Sequence, residues 1–219
     1  MRRLLPIIVL LALIAPALAD APNGDKIIAA MKRQFSAVND YRVEVSLTVK
    51  GPKISVNNMG MTVYFKKPNK IHVDATEGLA MVPSGNLFGN PLNEIATSAQ
   101  VTYVRTEKKL GRDCYVLNLA GARMPLLLWV DKERSVIVAM DSQGGFQTTW
   151  QYEKVDGKYY LPTEIRAEMQ GPGVSRGRRG RFASDETPSV GPTKVTVKFS
   201  NYKVNKGIDD KIFQENKRK

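Results

Sequence analysis

The sequence predicts a mainly β protein with about ten antiparallel strands and one substantial helix. Over most of its 219 residues, apolar side chains alternate with polar ones, at the period of two that puts one face of a strand into a core. Glycine, proline and charged turn residues separate these runs at short spacing, as between successive hairpins. Only one segment has helical periodicity. A sheet of this size must curl, close or split.

The helical segment comes before the strands. Asn23 or Asp25 can cap its start, because a side-chain oxygen there accepts hydrogen bonds from free backbone N–H groups. Asn39 and Asp40 are expected to end it. Apolar residues recur at helical spacing, so one face of the helix can pack on a sheet. They are Ile27, Ile28, Met31, Phe35 and Val38.

The strands are expected to follow as hairpins. The first three are predicted at 41–49, 59–65 and 71–75, with a break at 51–52 and a tight turn at 67–70. The remaining strands are predicted near 100–106, 112–120, 125–131, 134–141, 145–154, 158–169 and 193–204.

Three segments stand apart from the strands. Residues 78–99 carry proline, glycine and large apolar residues, which predicts a loop with one short helix that covers an apolar surface. Residues 170–192 are rich in glycine, proline and arginine, and are predicted to be a flexible basic loop. This loop is either a solvated insertion or a contact for phosphate or a partner protein through Arg176, Arg178, Arg179 and Arg181. The polar tail, 214–219, is expected to fray.

Residues 1–19 have the pattern of a secretory signal peptide. A basic start, a short apolar run and small residues at positions −3 and −1 predict cleavage after Ala19. The next residue is Asp20 and not cysteine, so the mature chain is expected to carry no N-terminal lipid. The alternative is an uncleaved anchor, although the apolar run is short for a bilayer span. The protein is therefore expected to work outside the cytoplasm.

The chain is basic, with 33 Lys and Arg against 21 Asp and Glu and a formal net charge of +12. A basic balance often indicates nucleic-acid binding, but export argues against that partner. Anionic lipid headgroups or an acidic partner surface fit an exported protein better. The alternative is that the charge only keeps the protein soluble.

The sequence contains no catalytic signature. It lacks a nucleophile elbow with a Ser–His–Asp pattern, a phosphate-binding loop and a dinucleotide fingerprint. His72 is the only histidine; it is expected on the exposed face of a strand and is a poor metal ligand alone. Cys114 is the only cysteine and is expected to be a buried, inert thiol. We therefore expect a protein that is not an enzyme and that holds no metal or cofactor.

The feature of this sequence that does indicate a function is its pattern of apolar residues. A helix with an apolar stripe beside a large sheet with one apolar face can form a concave surface for lipids and other hydrophobic ligands. The alternative is that the same side chains fill the concavity as an ordinary core. The candidate ligand-binding residues are Val43, Val45, Leu47, Met61, Val63 and Phe65 of the strands, with Ile28, Met31 and Phe35 of the helix.

Short stretches along the chain also resemble a known family. The strongest match is M-T-V-Y-F-K-K-P-N-K at 61–70, which follows Y-R-V-E-V at 41–45. Weaker matches lie at 111–117, 128–131, 160–163 and 199–202. These stretches are similar to the periplasmic carriers of outer-membrane lipoproteins and their wider lipoprotein-sorting family, the LolA-like proteins.

The resemblance implies an unclosed antiparallel half-barrel of ten to eleven strands. Its concave face would lie under the N-terminal helix and a short helical or loop lid, within one domain at 20–213. By the same resemblance the protein would be a periplasmic monomer that shelters lipoprotein acyl chains. It would receive them from a membrane-bound donor and pass them to an outer-membrane acceptor. Two rivals remain, an envelope-stress sensor that binds a membrane partner and a structural envelope protein with a filled core.

The resemblance also draws attention to Lys67. Well-studied carriers have an arginine just before the turn proline, and it ties the lid helices to the barrel. Lysine cannot make the same forked set of hydrogen bonds. If Lys67 has a similar role, its ammonium should donate to a carbonyl of the helix or of the lid segment. The alternative is a solvated turn lysine, like Lys66 and Lys70.

Overall fold

One antiparallel sheet dominates the computed structural model, which describes residues 22–52, 54–75, 100–121, 126–142, 145–170 and 191–214. The helix α1 spans Gly24–Ser36, and a 3-10 helix spans Asp210–Phe213. The strands are β1 (Asp40–Gly51), β2 (Ile54–Lys66), β3 (Lys70–Ala75), β4 (Gln100–Lys109), β5 (Arg112–Ala120), β6 (Leu126–Asp131), β7 (Ile137–Ser142), β8 (Phe146–Val155), β9 (Tyr159–Met169) and β10 (Thr193–Val204).

The ten strands lie in the order β3-β2-β1-β10-β9-β8-β7-β6-β5-β4. The sheet is not closed into a barrel, because β3 and β4 form its two edges. This confirms the predicted mainly β class and the unclosed antiparallel sheet, and the described ranges contain one α-helix, as predicted for the N-terminal segment. The signal peptide, the lid segment at 78–99, the basic loop with its four arginines and most of the tail lie outside the described residues.

The two faces of the sheet have different roles. The face that contacts α1, here the inner face, carries the main core, to which all ten strands and the helix contribute. A smaller cluster on the outer face holds Cys114, Val116, Trp129, Val138 and Ala139. Cys114 is fully buried there, and burial raises the pKa of its thiol. The expected buried thiol is confirmed.

Helix α1 begins where the sequence indicates and ends earlier than expected. Asn23 caps it, with its side-chain oxygen accepting from Asp25 N at 2.8 Å and Lys26 N at 3.2 Å. The last helical residue is Ser36, so the predicted end at Asn39 is wrong. Val38 lies beyond the helix yet is buried, because the chain turns there into β1. The turn between α1 and β1, and not the helix, therefore buries Val38.

Strand β2 begins five residues before its predicted start at Met59. The alternation changes phase there, since Ile54 and Val56 lie an odd number of positions from Met59 and Met61. A bulge absorbs the extra residue: the register shifts between Leu47 and Val49, and Asn58 has a φ of 49°. Asparagine tolerates this left-handed conformation, so the bulge restores the inward face.

The strand connections divide the sheet into two ends. The turn end carries the tight turns at 67–69, 110–111, 132–136 and 156–158, together with the C-terminus of α1. The opposite end, here the far end, holds the starts of β2, β4, β6, β8 and β10. Within the described ranges, no helix is long and apolar enough to cross a membrane.

Candidate functional site

The structure brings all nine predicted ligand-binding residues into one cluster on the inner face. The six strand residues and Ile28 and Met31 are buried, and Phe35 is half-buried against them. Val43, Leu47 and Val63 have no exposed surface. These side chains therefore pack on one another, and Phe35 is the one of the nine that is partly open to solvent.

A belt of half-buried apolar residues continues this cluster to the far end. No sequence pattern singles them out, because alternation indicates the face on which a side chain lies and not how far along the strand that face is covered. We call them the far-end belt: Val56, Met59, Leu126, Met140 and Val195. They come from β2, β6, β7 and β10, so the partly open apolar surface spans much of the sheet.

A buried hydroxyl interrupts the apolar surface beside the far-end belt. Thr148 of β8 pairs with Met140 of β7 and Ala167 of β9, and it is 2% exposed. Its Oγ1 has no hydrogen-bond partner within the described ranges. A buried unpaired hydroxyl is unfavourable by about 1–3 kcal/mol. A polar atom of a bound molecule would remove that cost.

Aromatic side chains close the inner face at the turn end. The Phe65 ring lies 5.7 Å from Phe35 and 5.2 Å from Tyr41, and Tyr202 lies 5.8 Å from Tyr41. Burial raises the pKa of Tyr41 and of Tyr202 above the ordinary range. The Tyr202 hydroxyl donates to the Pro162 carbonyl at 2.8 Å. This end of the inner face is therefore packed with rings.

Lys67 fastens the end of α1 to the sheet. Its Nζ donates to the Ser36 carbonyl and, at 3.3 Å, to Oδ1 of Asn39. Its backbone N–H donates to the Asn39 carbonyl at 2.8 Å. The ammonium thus satisfies a carbonyl that the helix leaves free at its C-terminus. The contact expected between Lys67 and a helix carbonyl is present.

Asn205 completes this clasp, and no pattern in the sequence indicates its role. Its Nδ2 donates to the Ala37 carbonyl at 2.8 Å and to the Tyr159 hydroxyl at 3.0 Å. Its Oδ1 accepts from Asn39 N at 2.7 Å and from Asp40 N at 3.3 Å. One amide therefore joins the end of the helix, the start of β1 and β9. We call Lys67 and Asn205 the helix clasp.

The other end of α1 rests on β4 without such polar contacts in the described ranges. Gly24 is buried, and a Cβ there would lie 3.0 Å from the carbonyl oxygen and Cγ1 of Val101. The absence of a side chain allows the helix to approach the edge strand this closely. The helix is therefore held by hydrogen bonds at the turn end and by close packing toward the far end.

A second polar link attaches the C-terminal 3-10 helix to the turn end. Lys66 Nζ and Lys70 Nζ lie 2.7 Å and 2.9 Å from the two carboxylate oxygens of Asp210. Lys66 also donates to the Ile208 carbonyl at 2.8 Å. The expectation that Lys66 and Lys70 are solvated turn lysines is therefore wrong. They hold the segment after β10 against β2 and β3.

We expect this link to weaken only in acid. Two hydrogen bonds hold the pKa of Asp210 below its usual value, and the bond from Lys66 has a larger effect than the bond from Lys70. A lowered carboxyl pKa stabilises the folded state above the unfolded value of about 3.9, and this stabilisation is lost as pH falls through the folded pKa. Carboxyl-carbon NMR of Asp210 should give a midpoint below about 3.9. A midpoint at or above that value would contradict the ion pair.

The remaining side chains that could take part in catalysis or metal binding make contacts typical of turns and strands. Asp131 is 3% exposed, and its Oδ1 accepts from the backbone N–H groups of Glu133 and Arg134 at 2.9 and 3.0 Å, closing the β6–β7 turn. His72 lies on the outer face, as its alternation with Ile71 and Val73 indicates, but it is half-buried beside Tyr64 and not exposed. Among the described residues, no three His, Cys, Asp or Glu side chains are grouped to hold a metal ion.

Comparison with known proteins bears on the fold. No protein-family model and no curated protein matches the chain. A solved LolA superfamily protein from Nitrosomonas europaea has a TM-score of 0.59 and 15% identity, over 88% of this chain and 98% of that one. The chain has a LolA-like fold.

Two further solved structures agree with this assignment. A DUF1329 family protein from Desulfovibrio piger gives a TM-score of 0.60 at 12% identity, over 91% of this chain and 100% of that one. A domain from Vibrio parahaemolyticus, assigned to outer membrane lipoprotein sorting, gives 0.56 at 11% identity, over 89% and 98%. The LolA-like resemblance read from the short sequence motifs is therefore confirmed for the fold.

Proposed function

We propose that this protein is a periplasmic carrier that shelters the acyl chains of lipoproteins on its inner face. It would take them from a membrane-bound donor protein and pass them to an acceptor at the outer membrane. The observation that carries the proposal is the inner face itself, an apolar surface that is packed at the turn end and only half-covered at the far-end belt. The LolA-like fold supports it.

An acyl cargo would gain free energy by moving from water onto this apolar surface. Each methylene moved out of water contributes about 0.8 kcal/mol, so one long chain would gain roughly 10 kcal/mol before the costs of ordering. The Thr148 hydroxyl supplies a polar group beside the far-end belt for an ester or amide of the cargo. No step in this function needs a cofactor or a catalytic residue.

A binding assay tests the proposal against the filled-core alternative. The mature protein is titrated into a fatty acid that carries an environment-sensitive fluorophore, and a diacylated lipopeptide is then added as competitor. Saturable binding that the lipopeptide displaces is the expected result. No saturable fluorescence change with the folded protein would favour a core filled by its own side chains.

Lys67 gives a second prediction, on cargo release. Lys67→Leu removes the ammonium that holds Ser36 and Asn39, so α1 is expected to leave the sheet more readily. A hydrogen bond from a charged donor is worth about 1.5–3 kcal/mol, so release of the fluorescent fatty acid should accelerate by about ten- to a hundredfold. Stopped-flow fluorescence measures this rate.

Lys66 is unsuitable as the control, because it binds Asp210. Lys198→Leu is the matched control, since Lys198 is an exposed lysine on β10. Its release rate should equal that of the unmodified protein. Equal rates in all three proteins, with the fold retained by circular dichroism, would show that Lys67 does not control release.

A further inference from the structure

A groove outside the inner face lies at the turn end, beside the apolar stripe of α1. Its volume is about 450 Å³. The last turns of α1 form one wall, and the β6–β7 and β8–β9 turns form the other. Arg33 lines it from the helix, and Arg134, Lys158 and Tyr159 line it from the sheet. The groove therefore bridges the helix and the strands it covers.

The groove is positively charged, and its cations make no ion pair with the residues that the structure describes. Arg33, Arg134 and Lys158 line the groove together with a single acidic residue, Glu133. Within the described ranges, none of these four side chains belongs to a salt bridge. Elsewhere on the sheet, basic side chains such as Lys66, Arg105 and Arg112 do pair with carboxylates. The excess charge in the groove is thus not neutralised by the described protein.

The Arg134 guanidinium contacts an aromatic ring, and one of its nitrogen atoms has no hydrogen-bond acceptor in the described ranges. Its Cζ lies 5.3 Å from the Tyr160 ring centre, a cation–π distance. Its Nε is buried and has no hydrogen-bond partner within the described ranges. An ordered guanidinium loses little freedom on binding and can pair with a carboxylate in a fork. These properties suit recognition of a specific anionic group.

We infer that this groove binds an acidic peptide segment of a partner protein, with carboxylates on Arg33, Arg134 and Lys158. A recessed groove formed by a helix and two turns fits a narrow chain better than the flat surface of a membrane. Since Arg33 belongs to α1 and the other cations to the sheet, the segment would contact the helix that covers the cargo. Partner binding and helix position are then thermodynamically coupled.

The link between partner binding and cargo rests on the proposed carrier role. The binding of the peptide itself can be tested without lipid. Fluorescence anisotropy is measured with a labelled peptide of alternating glutamate and glycine, and with a control peptide of alternating glutamine and glycine. The acidic peptide should bind and the neutral one should not. Arg33→Gln combined with Arg134→Gln should weaken binding at least about tenfold, because charge-assisted contacts are lost.

Matched variants make the test specific. Lys50→Gln combined with Lys198→Gln removes the same charge from exposed positions of β1 and β10 and should leave peptide affinity unchanged. Lys158→Gln alone provides a milder groove variant if the arginine double variant does not fold. Equal losses in the groove and control variants would overturn the inference. So would binding of phosphatidylglycerol vesicles through the groove without binding of the peptide. Lipid binding measured separately decides the carrier role.

Discussion

Asn205→Ala should lower the free energy of unfolding by about 3–5 kcal/mol. The substitution removes four side-chain hydrogen bonds and leaves the Ala37 carbonyl and the Asn39 N–H without this partner. It also places alanine at a φ of 52°, a left-handed conformation that asparagine tolerates better. Urea unfolding followed by circular dichroism measures the change.

Asn201→Ala is the matched control for this prediction. Asn201 lies in β10, shortly before Asn205, and has a φ of 56°, but its side chain is exposed and donates to Glu44 at 2.6 Å. Because Asn201→Ala removes one surface hydrogen bond and carries a similar backbone cost, we expect the free energy of unfolding to fall by about 1–2 kcal/mol. Similar losses for the two variants would show that the helix clasp adds little stability.

Val195→Glu should weaken binding of the fluorescent fatty acid by at least about a hundredfold, because an unpaired charge would have to be desolvated by the acyl chain. Val195 is a half-buried residue of the far-end belt, paired with Val49 of β1 and Ala167 of β9. Val45 is a weaker test, because it is 3% exposed and a charge there threatens the fold itself. Equilibrium titration with the probe gives the affinity.

The adjacent position supplies the control for Val195. Thr196→Glu adds the same charge one residue away on the outer face, opposite Thr48 and Arg166. Probe affinity should remain within about twofold there. Met140→Glu repeats the test on β7 if Val195→Glu does not fold. Unchanged affinity in a folded far-end-belt variant would indicate that the inner face is a filled core.

Much of the fold could be read from the sequence because strand alternation and turn residues are local signals. The odd-numbered run from Met59 to Phe65 indicates an inner face directly, and Asn23 caps α1 as its position suggests. Alternation fails where the phase slips. A bulge at Asn58 hid the first part of β2, and no local pattern distinguishes such a slip from a loop.

The helix clasp was only half predictable. A short motif singles out Lys67, and the family resemblance predicts its contact with the helix. Asn205 joins groups more than 160 positions away, such as Asn39, so no spacing in the sequence reports it. The Asp210 link is also long-range, so no local pattern distinguishes Lys66 and Lys70 from solvated turn lysines. Sequence patterns indicate faces and turns, whereas contacts between residues far apart in the chain depend on how the strands are ordered in the folded sheet.

Mass spectrometry of organic extracts from the native protein tests the carrier proposal most directly. The protein is purified without detergent from the envelope of the cells that make it, beside its Val195→Glu variant. We expect an acyl-chain molecule in the extract of the unmodified protein at close to stoichiometric amount, and a strongly reduced amount with the variant. Indistinguishable extracts from the two folded proteins would contradict an acyl-binding inner face.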